Sequence, residues 1–244
     1  MRVALLFVTL AAACYQPQVP AGGRCSVSGD CPGGEPCVAG VCGGTEPGTD
    51  APGAPDAAID APPGTLVITI GTDRSQLRDT EMASYDPGGN FGDIDHFSID
   101  TPEVGLLWFD LSGVPGGIKV TKATLRLATR DDADEAGGTV LVYRVLEAWN
   151  EAEVTWMART AGALWTTPGA GPPSREDTHL AELQPNKEFA SFDVALPPSL
   201  VGAWLDDPAR NHGLALVRGT SNQHVHFGSR ESPAWSRLVL ELSP

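Results

Sequence analysis

The chain has 244 residues, with 31 acidic against 16 basic side chains and a formal net charge of −15. No basic cluster and no interleaving of aromatic with basic residues interrupts that charge, which argues against nucleic acid and anionic lipid head groups as partners. A polyanionic glycan would also be disfavoured unless calcium bridged the two.

The N-terminus reads Met1, Arg2, then "VALLFVTLAAAC". One positive charge precedes an apolar run too short for a membrane span, which needs about 20 residues, so residues 1–13 are expected to be a secretory signal peptide. The alanines before Cys14 resemble a bacterial lipobox, with the usual leucine one place further out at Leu10. Cys14 is the expected lipidation site, and an ordinary signal peptide with an incidental cysteine is the alternative. Tyr15 follows where an aspartate would favour inner-membrane retention, so the expectation is an outer-membrane lipoprotein, held to the membrane through its lipid anchor only.

Four further cysteines, Cys25, Cys31, Cys37 and Cys42, crowd residues 14–42, and none follows Cys42. In an exported chain this spacing suggests two disulfides stapling a stub too small to bury a core. Zinc is the alternative, but the CxxC knuckles of zinc ribbons are missing. The stub resembles small Cys-rich modules that follow lipoprotein signals in myxobacteria-like secreted proteins, which implies a spacer. Residues 43–64, "GGTEPGTDAPGAPDAAIDAPPG", hold one large aliphatic residue, Ile59, and no aromatic. Such a stretch cannot offset its ordering entropy by burial and is expected to be a disordered linker.

Residues 65–244 contain 25 acidic and 14 basic side chains, a net of −11. Short apolar or alternating runs recur between Gly- and Pro-rich turns: "TLVITIG", "GLLWFDLSG", "KATLRLATR", "TVLVYRVLE", "FASFDVAL", "HGLALVRG", "HVHFGS" and "SRLVLELS". Ala123, Leu125 and Leu127 alternate with Thr124, Arg126 and Ala128, while Leu238, Val239 and Leu240 suggest a more fully buried terminal strand. Period-two strands at this spacing predict an all-β fold, a sandwich or barrel, with the antiparallel sandwich preferred. "SLVGAWLDD" alone has helical spacing, with Leu200, Val201, Trp204 and Leu205 on one stripe behind a Ser199 cap, and predicts one short helix.

Five ordered blocks carry a family resemblance: "LLWFDLSGVPGGIKVTKATLRL", "VYRVLEAWNEAEVTW", "SFDVA", "VGAWLDDPARNHGLALV" and "FGSRESPAWSRLVLEL". In that order they resemble the DNRLRE domain family, which is similar to carbohydrate-binding module family 96. The resemblance implies a jelly-roll-like β-sandwich and a non-catalytic binding module on an exported protein. It implies a carbohydrate or polysaccharide ligand, acidic in some relatives. Trp108 stands where such domains usually carry an arginine, which puts any ligand role of that arginine in doubt here. A structural or adhesive cell-envelope protein with a protein partner is the alternative reading.

Within "AWNEAEVTW", Trp149, Glu151, Glu153 and Trp156 lie within eight positions. Three explanations compete: a catalytic carboxylate pair, an aromatic platform for a sugar, and a structural corner. A glycosidase pair needs carboxylates about 5–9 Å apart across a cleft, one with a raised pKa. Glu151 and Glu153 are expected on a surface turn instead. The preferred reading is a corner, with a strand ending near Glu147 and re-entering at Val154. Both indoles would cap one core, and Glu151 would accept turn N–H groups. Arg230 and Glu231 are expected to lock the penultimate strand to its neighbours. His224 and His226 share a strand face. They could hold a metal only with a third ligand such as His212 or Asp193. Asp131, Asp132 and Asp134, and more weakly Asp93 and Asp95, are oxygen-rich calcium candidates, although Tyr143 occupies the place of the EF-hand glutamate. No HExxH, GxSxG or phosphate-cradling loop occurs, and no enzyme is expected.

Overall fold

A computed structural model describes residues 37–38, 41–42, 64–130, 138–219 and 225–243. The chain divides into two units, Met1–Asp60 and Ala61–Pro244. In the first, β1 (Cys37–Val38) and β2 (Val41–Cys42) pair antiparallel with Cys37 opposite Cys42, and Cys37 is disulfide-bonded. Cys14, Cys25, Cys31 and, of the linker expected over 43–64, residues 43–63 lie outside the described residues.

The second unit is an all-β sandwich of antiparallel sheets. One sheet has five strands in the order β11 (Ala181–Leu183), β8 (Val140–Arg144), β13 (Leu214–Arg218), β6 (Glu103–Phe109) and β4 (Leu77–Ala83). The other has four: β12 (Ser191–Leu196), β7 (Lys119–Ala128), β15 (Arg237–Ser243) and β3 (Leu66–Ile70). A two-stranded ribbon pairs β5 (His96–Ile99) with β14 (Val225–Gly228). Successive strands cross from one main sheet to the other, as from β6 to β7 to β8, which is the jelly-roll habit. The core between the sheets follows the predicted alternation. Leu125, Leu127, Leu238 and Leu240 come from one sheet and Leu107, Phe109, Val142 and Leu216 from the other, all at 0–1 % exposure. Val239 is half-buried between its buried neighbours, so β15 alternates and is not buried on both faces.

The five-stranded sheet is covered on its outer face as well. The chain from Val145 to Leu180 leaves β8 and folds back over that face. There Val145, Trp149, Val154, Trp165 and Ala170 pack on Met82, Val104, Leu106 and Ala215. This explains the unbroken apolar run of β6, whose alternate residues feed two different cores. The excursion carries its own ribbon of β9 (Ala158–Thr160) and β10 (Ala163–Leu164). Leu146 N–H donates to Ser174 O at 2.8 Å and closes its base.

The helix α1 spans Pro198–Asp206 and buries Leu200, Val201 and Trp204. Ser199 is not its cap. Pro197 holds that place without a side-chain bond, and Pro198 starts the helix, where a missing N–H costs nothing.

Candidate functional site

Strand β8 ends at Arg144, three residues before the expected Glu147, and the chain does not re-enter a strand at Val154. It closes a turn in which Glu153 and Val154 N–H both donate to Asn150 O, at 3.0 and 2.8 Å. Val154 is then fully buried, and Trp149 is 7 % exposed with its indole N–H on His212 O at 2.9 Å. The loop at 86–95 lies on this turn. Asn90 Nδ2 donates to Glu151 O and Val154 O, both at 2.7 Å, and a Cβ on Gly92 would stand 2.8 Å from Glu151 O.

Glu151 is not on the surface. It is 8 % exposed, and its Oε1 accepts the N–H of Asp79 on β4 at 2.9 Å, in place of the turn N–H groups expected. Its Oε2 meets Arg230 Nη2 at 2.8 Å. Arg230 also holds Glu231 through Nε at 3.1 Å, and its backbone N–H donates to Asp79 Oδ2 at 2.9 Å. The Ser-Arg-Glu block thus locks the end of β14 to β4 and to the excursion. Asp79 is 1 % exposed, and burial, followed by the charges of Glu231 and Glu151, pushes its carboxyl up to about 8. Burial also raises Glu151, against the Asp79 N–H bond and Arg230. Glu151 is held at both oxygens, and Glu153 accepts Ala161 N–H at 3.0 Å, whereas Asp79 Oδ1 is buried without a hydrogen-bond partner.

Trp156 has a different surrounding. It is half-buried, packs at the edge of the outer core, and lines an open groove of about 250 Å³. Gly169, at φ +67°, lies against one side of the indole, where an added Cβ would stand 2.5 Å from the ring. Arg175, Arg218, Asp100 and Glu103 line the same groove. Asp100 pairs with Arg218 through Nη1, and the Nε and Nη2 of Arg218 and the Nε of Arg175 have no hydrogen-bond partner. Burial lowers the pKa of both guanidiniums. Tyr85, 62 % exposed, stands next to the groove with Glu103 as its neighbour. Desolvation of its hydroxyl, then the charge of Glu103, raise that hydroxyl to about 12. Its ring meets Phe91 edge-on at 6.4 Å. The arrangement sets an aromatic ring beside charged side chains of both signs, a chemistry suited to a polyhydroxylated ligand.

The sequence profile of carbohydrate-binding module family 96 matches residues 73–243. The chain belongs to carbohydrate-binding module family 96. No curated protein matches it.

The remaining sequence-derived sites of this family 96 module fall elsewhere. Asp131, Asp132 and Asp134 lie outside the described residues, as does His224. His226 packs on His96 with ring centroids 4.5 Å apart, and His96 Nδ1 lies 3.0 Å from Asp95 Oδ1. The two residues suggested as a third metal ligand are placed otherwise: Asp193 is taken by a bidentate pair with Arg126 at 2.7 and 2.8 Å, and His212 faces Arg144, Arg159 and Glu147. Asp93 is exposed in the loop over Glu151. Among the described residues no three His, Cys, Asp or Glu side chains gather to hold a metal ion. Trp108, at the place of the family arginine, is stacked by Arg78 at 4.3 Å and donates to Asn211 O at 3.0 Å. Sequence reasoning missed Asp79, Tyr85, Arg175 and Arg218. The available signals were the four polar residues of "LRDTEMA", and an arginine closing the apolar run "LALVR".

Proposed function

We propose that the sandwich is a non-catalytic module that binds carbohydrate in the groove at Trp156, and that Cys14 anchors it to the outer membrane as a lipoprotein. The observation that carries the first part is the half-buried Trp156 in an open groove that Arg175, Arg218, Asp100 and Glu103 also line. A pyranose laid on the indole brings its hydroxyls towards the charged side chains of that lining. The flat outer face of the four-stranded sheet is a weaker place for a sugar, because Arg126–Asp193 and Lys122–Glu241 already pair across it.

A glycan array probed with and without calcium tests the binding. The parent is expected to retain a carbohydrate, and Trp156→Ala to lose it while its circular dichroism stays that of the parent. No retained glycan in either condition refutes the reading. The anchor is tested by fractionation: Cys14→Ser is expected to leave the membrane fraction, and its persistence there refutes acylation at that residue.

A further inference from the structure

The two signs of charge in the Trp156 groove are not equally presented. In the pair of Arg218 with Asp100, the arginine side chain is 7 % exposed and the aspartate 32 %, so the carboxylate is the member that a ligand meets. Arg175 holds its guanidinium 4.6 Å from the centre of the Tyr143 ring and its Nη1 on Ala170 O at 3.1 Å, so its charge is engaged by the fold itself. Glu103, half-buried in the same lining, accepts the Tyr85 hydroxyl. Desolvation first, then the charges of Glu103, Glu81 and Asp86, raise that hydroxyl to about 12, and three carboxylates acting together make the field negative here. The field has the sign of the chain's net charge of −15.

Tyr85 is the second observation. It is 62 % exposed, yet its ring is braced at both ends: the hydroxyl by Glu103, and the edge by Phe91, whose ring centroid lies 6.4 Å away at an interplanar angle of 65°. An exposed ring ordered by its neighbours before any ligand arrives loses little side-chain entropy when a sugar stacks on it. Glu103 belongs both to the groove and to this brace, which sets the Tyr85 ring beside the groove that Trp156 lines.

Resting on the carbohydrate reading above, we propose that the ligand is an uncharged polysaccharide bound along its length, with one sugar on Trp156 and another on Tyr85. Sugar hydroxyls donate to the carboxylates of Asp100 and Glu103, which only accept. An acidic sugar adds a further group that only accepts, and brings it to carboxylates of its own sign. Both rings are reached by the interior of a chain, so no terminal sugar is needed.

Calorimetric titration of the full chain with neutral polysaccharides (β-glucan, xylan, galactomannan) and acidic ones (polygalacturonate, alginate, carrageenan), with and without calcium, provides the readout. At least one neutral polymer is expected to bind, about tenfold or more tighter than any acidic one. Glu103→Gln keeps an acceptor for the Tyr85 hydroxyl, removes one charge, and is expected to narrow that gap several-fold. Oligosaccharides of the bound polymer are expected to gain affinity with length. Tyr85→Ala, at an exposed position, is expected to flatten that gain while melting as the parent does. Affinity independent of length, or a parent-like gain in Tyr85→Ala, overturns the second ring. An acidic polymer bound as tightly as the neutral ones in either condition, or an unchanged gap in Glu103→Gln, overturns the uncharged class. The groove reading survives those results if Trp156→Ala abolishes binding. No binding of any polymer, or parent-like binding by Trp156→Ala, removes the groove reading and this inference with it.

Discussion

Glu151 accepts the backbone N–H of Asp79 at 2.9 Å, joining the turn after β8 to the edge strand of the five-stranded sheet. Arg230, from the segment after β14, closes the same cluster on Glu151 Oε2. Removing one partner from a buried ion pair leaves its opposite number uncompensated, at about 3–5 kcal/mol when both are fully buried. Arg230 is 30 % exposed at its side chain, so Arg230→Met is expected to cost about 2–4 kcal/mol. Glu151→Gln keeps an oxygen for the Asp79 N–H and is expected to lose about 1–2 kcal/mol. Urea unfolding of the two variants checks the order.

Asp79 gives the fold a pH dependence of definite sign. Its carboxyl is raised to about 8 in the folded state, against about 4 in an unfolded chain. Between those values the folded protein keeps a proton that the unfolded chain releases, so stability falls as pH rises from about 4 to about 8, then levels off. Asp79→Asn is expected to flatten this slope and to be more stable than the parent at pH 9, by about 1–3 kcal/mol. Its oxygen can still accept from Arg230 N–H. Melts from pH 5 to pH 9 that run parallel in the two proteins would contradict this.

The two tryptophans of "AWNEAEVTW" are expected to behave differently. Trp149→Ala empties the outer core and should cost about 3–5 kcal/mol, whereas Trp149→Phe keeps most of the ring and should lose about 1–2 kcal/mol with the bond to His212 O. Trp156→Ala, at the half-buried edge, should cost less than Trp149→Ala and appear mainly as lost carbohydrate retention. Thermal melts read beside the glycan array separate them.

Gly213 sits at φ +80° just before β13, and an added Cβ would stand 2.0 Å from Leu107 O. Neither strain nor contact can relax without moving β6, a central strand of its sheet. Gly213→Ala is expected to destabilise by more than about 2 kcal/mol, detectable as a lowered urea midpoint.

Much of the sandwich was legible because its strands alternate. Ala123, Leu125 and Leu127 point inward because residues two apart share a face, and a single buried face dictates that spacing. β4 was not legible, since "LRDTEMA" buries Asp79, Thr80 and Glu81 at 1–3 % exposure and so has no apolar rhythm. Partners from distant segments reach two of those side chains, Arg230 N–H on Asp79 Oδ2 and Ser98 N–H on Glu81 at 2.6 Å, while the Thr80 hydroxyl donates to the neighbouring Glu81 O.

The motif "AWNEAEVTW" shows the same division. Its composition marked a corner, because two large rings beside turn-forming Asn and Glu have few uses in a strand. Which ring is buried and which lines a groove depended on where the excursion lies across the outer face of the five-stranded sheet. That path is set by Asn90 and Gly92 in one loop, by Gly169 and by His212, three places far apart in the chain. Local alternation is a property of neighbours and is written in the sequence. The pairing of buried charges and the walls of a groove depend on long-range contacts, which only the folded chain brings together.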